Sequence, residues 1–238
     1  MTDIKSIPEV IDFFASNPDQ ALALAKLYTV ISQSVPSDRY EMLYLVAETS
    51  DNIASVVNTG VRVWEQGKTS KKSIKLGICG LEHPAAPIPN VIKEQLYEKG
   101  ITLDDVVKVI SSPHPEMGEA GKFRYFNTRI EMEVMISYCL ENKIKKLGIC
   151  SPLFHQPRVY MTALCALNKL NASQQLSIYS VVGERLNWNE MVLHSQGVVK
   201  ELRYNLLNEE MLRVFKYGLT KELASPDEAL EYLLGHCK

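Results

Sequence analysis

Three side chains that could take part in binding or catalysis fall within eight residues of the chain: Ser151, His155 and Arg158. Pro157 suits the first turn of a helix that begins there. Such a start directs backbone N–H groups and the positive helix end toward one point, where Arg158 adds a charge, so a phosphate or carboxylate would be favoured. His155 adds a group that can accept or donate a proton near neutral pH. The structural alternative is a simple helix start, with His155 and Arg158 paired to surface carboxylates.

A second candidate segment contains Asn127, Thr128 and Glu131. Thr128 and Glu131 have the spacing of a capping box, in which the threonine caps a helix and the glutamate reaches back to it. Capping is sufficient to explain these two residues. Asn127 is not needed for the cap, and we expect its amide to project into a cleft beside the sheet.

Gly80 ends an apolar run that begins near residue 74. A glycine at the end of a strand lets a ligand or another backbone approach closely. The dinucleotide-binding pattern G-x-G-x-x-G is absent here and after the first strand, which argues against a standard NAD enzyme and an ordinary methyltransferase.

From these three segments together, we assign a ligand- or cofactor-binding role to Gly80, Asn127, Thr128 and Ser151, and a catalytic role to His155 and Arg158.

The loops after the second and third strands contain further polar residues. His83 and His114 could converge with His155 on one edge of a sheet and resemble a metal site. They lack the i,i+4 spacing or acidic partners that would support metal binding, so no metal site is predicted. Glu116 and Glu119 could supply a carboxylate, and a solvated acidic loop is the alternative.

Five apolar runs alternate with helical stretches and predict a Rossmann-like, doubly wound α/β fold with a mostly parallel five-stranded sheet. The runs lie near residues 42–47, 74–79, 106–110, 146–150 and 176–182. Strands without clean polar alternation, separated by helices, are typical of a parallel sheet covered on both faces. Right-handed crossovers place the loops that follow the strands on one edge, which brings the candidate segments together.

The two ends of the chain add helices to this core. Residues 1–35 are predicted to form a helical brace, residues 40–182 the core, and residues 196–238 the C-terminal helices, all within one domain. A long amphipathic helix is expected from about Val198 to Tyr217. A last helix should begin with Ser225 as its N-cap.

Composition narrows the class of protein. The chain has 238 residues, of which 46% are hydrophobic, which suits one domain with a full core. A net charge of −2 without a basic stripe gives no reason to expect a nucleic-acid partner. Five scattered cysteines indicate a reducing compartment. Neither a signal peptide nor a membrane-spanning segment is recognised. We therefore predict a soluble, cytoplasmic protein without a membrane anchor. The sequence is compatible with a homo-oligomer and does not decide the oligomeric state.

The segment 147–158 resembles the strand and the Thr-Ser-x-(Phe/Tyr)-His-x-x-Arg turn of the YdcF/SanA/ElyC-like family. Segments 64–68, 96–106 and 127–128 are similar to further family segments in the same order, so the resemblance covers about residues 40–182. It implies a Rossmann-like fold with a cleft formed by these loops. It also implies a small ligand, since one branch of the family is thought to bind S-adenosylmethionine and others influence the bacterial cell envelope.

The chain departs from the family pattern after its first two strands. Ala47, Glu48 and Thr49 stand where the family has glycines, and the Gly-Gly after the second strand is reduced to Gly80-Leu81. Ser151 stands where the family usually has threonine. These changes are compatible with the implied fold. They alter the loops that form the implied cleft, so the ligand of the family does not follow from the fold.

Two functions from different classes fit these observations. The first is a transferase or hydrolase for a small phosphorylated or nucleotide-like substrate, with Arg158 as anion clamp, Asn127 and Ser151 orienting the substrate, and His155 as acid or base. Arg158 is then expected to be exposed, so that its loss weakens ligand binding and changes fold stability little. The second is a non-catalytic ligand-binding or regulatory protein linked to cell-envelope physiology. A third, a helical interaction module, would require an exposed apolar patch on the terminal helices.

Overall fold

The computed structural model describes residues 7–33, 39–70, 74–79, 88–102, 104–109, 128–194 and 199–236. Two helices come first, α1 (Ile7–Ser16) and α2 (Pro18–Ile31). Strands and helices then alternate as β1 (Met42–Leu45), α3 (Ile53–Thr69), β2 (Lys75–Cys79), α4 (Ile88–Glu98), β3 (Val106–Val109), α5 (Thr128–Glu141), β4 (Lys146–Ser151), α6 (Gln156–Lys169) and β5 (Ser177–Val182). The chain continues with β6 (Met191–His194), β7 (Val199–Leu202), a short 3-10 turn (Arg203–Asn205), α7 (Leu206–Leu219) and α8 (Pro226–His236).

The five strands β1 to β5 form one parallel sheet in the order β3-β2-β1-β4-β5. The predicted doubly wound α/β fold is therefore confirmed. The chain first moves outward from β1 to β3 and then returns to place β4 on the other side of β1. The switch point of the sheet therefore lies between β1 and β4, and in doubly wound folds this is the position at which ligands usually bind.

Both faces of the sheet are buried, and this explains why the strands are almost wholly apolar. Successive residues of β1 alternate between two core clusters: Met42 and Tyr44 pack on one face, whereas Leu43 and Leu45 pack on the other. The first face is covered by α2, α5, α6 and α8, and the second by α3 and α4. Helix α2 belongs to this main core, because its buried side chains at residues 24, 27 and 31 pack there.

The segment after β5 differs from the predicted helix over 198–217. A hairpin of β6 and β7 occupies its first part, and α7 begins at Leu206. Val192 of β6 is buried against Phe154 and Leu206, so the hairpin packs on the turn after β4. The short alternating apolar runs on either side of Gly197 are the signal for two strands, which the helical interpretation overlooked.

The predicted N-cap of the last helix is confirmed. The backbone N–H of Glu228 donates to Oγ of Ser225 at 3.2 Å, and the Glu228 carboxylate accepts from the Ser225 N–H at 2.7 Å. The two residues thus form a reciprocal capping box. Across the described ranges, none of the helices is long and apolar enough to cross a membrane.

Candidate functional site

The turn between β4 and α6 has the strand-turn-helix form that its sequence predicts. His155 directly precedes α6, and Pro157 lies in the first helical turn. The expected free N–H groups at this helix start are partly used within the turn, however. The N–H groups of His155 and Gln156 both donate to the carbonyl of Pro152 at 2.9 Å. The backbone contribution to an anion site is therefore smaller than the sequence suggests.

His155 is bound on both ring nitrogens. Its Nδ1 lies 2.6 Å from Oε1 of Glu48, in the loop after β1, and its Nε2 lies 2.7 Å from Nη2 of Arg158. Because a guanidinium can only donate, Nε2 must accept and the ring proton lies on Nδ1, where it donates to Glu48. His155 and Glu48 are only 7% and 6% exposed. The pair joins the segments that follow the neighbouring strands β1 and β4 at the switch point of the sheet.

Arg158 is buried, and the expectation of an exposed arginine is wrong. Its Nε and Nη2 donate to the two carboxylate oxygens of Glu210 at 2.5 and 3.1 Å, and its Nη1 donates to Oγ1 of Thr128 at 3.0 Å. With the bond to His155, the guanidinium makes four hydrogen bonds. The residue is 7% exposed because α7 covers it. Although burial alone would lower the pKa of Arg158, the charge of Glu210 raises it, so Arg158 remains a cation.

Glu210, on α7, continues the series of hydrogen bonds that begins at Glu48. It is 1% exposed, and Oε1 also accepts from Nη1 of Arg213 at 3.0 Å. Burial raises the pKa of Glu210, but the charge of Arg158 outweighs it and lowers the pKa to about 2. The polar chain therefore runs from Glu48 through His155, Arg158 and Glu210 to Arg213, with two carboxylates and two guanidiniums.

Glu131 binds the loop after β1 and does not form the predicted capping box. Its Oε1 accepts from the hydroxyl of Tyr44 and from the backbone N–H of Ala47, both at 3.0 Å. Glu131 thereby fixes the residue that precedes Glu48, while Thr128 is bound by Arg158. Burial raises the pKa of Glu131 to about 7, against the lowering effect of these two hydrogen bonds. The tertiary partners are 84 and 87 residues distant in sequence, which a local capping pattern cannot reveal.

Ser151 is fully buried behind the turn. Its Oγ lies 2.5 Å from Oε1 of Gln156, whose Nε2 donates to the carbonyl of Ile149 and to Oγ of Ser180. This network ties the first residue of α6 to β4 and β5. Ser151 therefore positions His155, and its predicted contact with a ligand stays a prediction.

The β6–β7 hairpin covers the loop after β1. The backbone of Leu193 donates to Asp51 at 2.6 Å and accepts from Oγ1 of Thr49 at 2.9 Å. Arg203, which is 2% exposed, donates to the side chain of Asn52 and to the carbonyl of Asp51. In a dinucleotide-binding fold the loop after the first strand binds a pyrophosphate. Here the same loop is hydrogen-bonded to Leu193 and Arg203 of the protein itself.

Several predicted residues lie outside the described part of the chain. These are Gly80 and Asn127 among the proposed binding residues, and His83, His114, Glu116 and Glu119 among the loop residues considered for metal or acid chemistry. Their roles stay predictions. Among the described residues, no three side chains of histidine, cysteine, aspartate or glutamate gather in a way that could hold a metal ion.

Two functional residues were missed by sequence reasoning. Glu48 has a weak local signal, because it is an acid immediately after a buried strand, where loops of this fold contact ligands. Glu210 has none, because two adjacent acids, Glu209 and Glu210, within an amphipathic helix look like solvated surface residues. Only the packing of α7 on α6 shows that it pairs with Arg158.

The arrangement holds buried charges, and proton transfer by His155 would require its Nε2 to leave Arg158. His155 has the orientation that a carboxylate partner gives to a catalytic imidazole, with Nδ1 protonated and Nε2 as the basic atom. Arg158 adjoins Nε2 and provides a fixed positive charge. Fold and site together define a doubly wound α/β protein with a buried Glu–His–Arg–Glu chain at its switch point. No protein-family profile, curated protein or solved structure shows significant similarity to this chain.

Proposed function

We propose that this protein binds a small anionic, nucleotide-like ligand at the junction of β1 and β4, and that His155 transfers a proton in a reaction on it. The observation that carries the proposal is the chain Glu48–His155–Arg158, which joins the two strands at the switch point of the sheet. A buried, charged arrangement is costly to maintain, and clusters of this kind concentrate at functional sites. The resemblance to the YdcF/SanA/ElyC-like family adds S-adenosylmethionine as a ligand class, and the positive charge of Arg158 adds phosphorylated metabolites.

Each residue has a distinct role in this proposal. Glu48 fixes the tautomer and the orientation of His155, so that Nε2 is the atom that takes up the proton. Arg158 pairs with the anionic group of the ligand, which places that group beside Nε2. Ser151 and Glu131 hold the loops from which these side chains project. The reaction class is a transfer or a hydrolysis.

A second candidate is a non-catalytic binding protein. It is favoured by the observation that both ring nitrogens of His155 are occupied by Glu48 and Arg158. An imidazole that stays in these two bonds has no atom available for a substrate, and its role would then be to hold Arg158 in place. The two candidates share the ligand and differ in turnover.

A ligand screen followed by a turnover assay tests the proposal. Thermal unfolding is measured with S-adenosylmethionine, nucleotides and sugar phosphates, since a ligand at 100 times its Kd stabilises the fold by about 2.7 kcal/mol. The stabilising compound is then incubated with the protein and analysed for product by mass spectrometry. His155→Ala should keep the ligand-induced stabilisation and lower turnover by about 10²–10⁴-fold.

Two controls make the outcome decisive. Arg185 is exposed, and Arg185→Gln removes a cation of the same type away from the polar chain. This variant should bind and react like the wild type. Retention of the ligand without product would favour the binding protein, and absence of stabilisation by every compound would contradict both candidates.

A further inference from the structure

Glu210 presents its carboxylate to Arg158 as an external anion would. Oε2 faces Nε and Oε1 faces Nη2, which is the two-point geometry by which arginine recognises carboxylates and phosphates. The remaining contacts of the guanidinium go to His155 and Thr128. The anion position of the proposed site is therefore filled by a side chain of the protein itself.

We propose that Glu210 is an internal occupant of the anion site, which the ligand must exchange for its own anionic group, and that α7 is the gate that moves in this exchange. This inference rests on the proposed function and adds a regulatory device to it. The ligand class is set by the exchange: a carboxylate or phosphate able to accept two parallel hydrogen bonds from Arg158. Ligands without such a group would leave the gate closed.

Arg213 makes the exchange electrostatically feasible. It lies one turn after Glu210 on α7 and donates to the same carboxylate, and its side chain is 23% exposed, compared with 8% for Arg158. When Glu210 leaves Arg158, it keeps this second cationic partner on the solvent side. The ligand replaces the lost charge at Arg158, so neither guanidinium is left unpaired in a low-dielectric environment.

The hydroxyl of Tyr28 is close enough to this pair to be affected by the charges of both Glu210 and Arg158. It is buried and has no hydrogen-bond partner among the described residues. Burial raises the pKa of Tyr28, and the nearby charge of Glu210 raises it further. A buried hydroxyl without a partner is uncommon and calls for an explanation.

The packing of α7 is compatible with movement. Its buried residues are Leu206, Glu210, Val214 and Phe215, so an ion pair occupies the middle of a narrow apolar stripe. Phe215 packs edge-on against Phe13 and Phe14 of α1, with ring centroids 4.7 and 4.6 Å apart. The gate would therefore consist of α7 together with α1, since this aromatic contact joins the two helices.

Calorimetric titration with inorganic phosphate tests the exchange in three variants of the full chain. Glu210→Gln removes the competing charge and should bind phosphate about tenfold more tightly than the wild type, because the binding-competent state is more populated. Glu210→Asp keeps the charge but shortens its reach, and should also bind more tightly. Arg213→Gln removes the second partner of Glu210 and should bind about tenfold more weakly. Glu209→Gln, one residue earlier on α7, is the matched control and should match the wild type.

The outcomes separate the gate from the proposed function. Equal phosphate affinity in all four variants, lost in the double variant Arg158→Gln/Glu210→Gln, would overturn the gate and keep the anion site. Absence of phosphate binding in every protein would overturn both. If Glu210→Gln does not fold, Glu210→Asp and Arg213→Gln still predict opposite shifts, and shifts of the same sign would overturn the gate.

Discussion

The carboxylate of Glu48 lies 2.6 Å from Nδ1 of His155, although the two residues are separated by 107 positions in the sequence. Glu48 follows β1 and His155 precedes α6, so their contact bridges the segments that follow β1 and β4 at the switch point. This contact determines which nitrogen of His155 is protonated. It also means that the loop after β1 contributes a buried acid to the site.

Removing the Glu48 carboxylate should destabilise the fold through His155. Glu48→Ala leaves the Nδ1–H of a buried ring without its acceptor, which should lower the free energy of unfolding by about 1–3 kcal/mol. Glu48→Gln keeps an amide oxygen as acceptor and should cost less. Urea unfolding measures both values. Glu65→Ala, on the exposed surface of α3, should stay within about 0.5 kcal/mol of the wild type. Equal stability of the Glu48→Ala and Glu65→Ala variants would show that the contact contributes nothing.

Arg158 and Glu210 should behave as one unit in stability measurements. Glu210→Leu leaves the buried guanidinium of Arg158 without a carboxylate and should lower the free energy of unfolding by about 3–5 kcal/mol. Arg158→Met should cost less, because Glu210 keeps its hydrogen bond from Arg213. The double variant removes both charges and should recover most of this loss, because apolar pairs of similar volume replace buried ion pairs well. A double-mutant cycle measures the coupling. Additive losses in the double variant would contradict a shared ion pair.

Arg203 should hold the β6–β7 hairpin over the loop after β1. Arg203→Met removes the donors for Asn52 and for the carbonyl of Asp51, at about 1–3 kcal/mol for each acceptor left unpaired. Trp188, whose ring lies 6.4 Å from that of Phe154, reports on the hairpin. Its fluorescence should shift to longer wavelength as the hairpin detaches. A Trp64→Phe background isolates the signal, and an unchanged spectrum would show that Arg203 does not anchor the hairpin.

The sheet was predictable from the sequence because its determinants are local. Each of the five strands is a short apolar run bounded by turn residues, and burial on both faces removes any polar alternation that would confuse the pattern. The helix starting at Ser225 was predictable for the same reason, since its capping box lies within four residues. The hairpin was misjudged because two four-residue strands give a weaker periodic signal than the helix that follows them.

The site was predictable only in part, because its partners are distant in sequence. The turn containing His155 and Arg158 was found from helix-start residues, and parallel topology places it on the same edge as the loop after β1. The exposure of Arg158 was misjudged because its burial depends on Glu210, on a helix more than 50 residues later. The Thr128–Glu131 spacing fits a local cap, yet Glu131 uses its carboxylate on Tyr44 and Ala47 instead.

Glu131 should make the stability of the fold depend on pH near neutrality. Burial raises its pKa from 4.5 to about 7, so between these values the folded state binds a proton that the unfolded state does not. The stabilising contribution is complete below about pH 4.5 and is lost as the pH rises through 7. Stability should therefore fall between pH 5 and pH 8, with a slope of at most about 1.4 kcal/mol per pH unit. Glu210 has the opposite sign, since its lowered pKa gives a contribution that is lost only as the pH falls toward 2.

Glu131→Gln isolates this effect, because the amide imitates the protonated acid. Its Oε1 can still accept from the hydroxyl of Tyr44 and the N–H of Ala47, so the fold should be retained. Urea unfolding of wild type and variant at pH 5, 6, 7 and 8 gives two curves, and their difference removes the contributions of all other groups that titrate equally in both. Wild-type stability should fall relative to the variant as the pH rises. Parallel curves would mean that Glu131 titrates in the folded protein as it does in the unfolded chain, and that the loop before Glu48 is held by an ionised carboxylate at neutral pH.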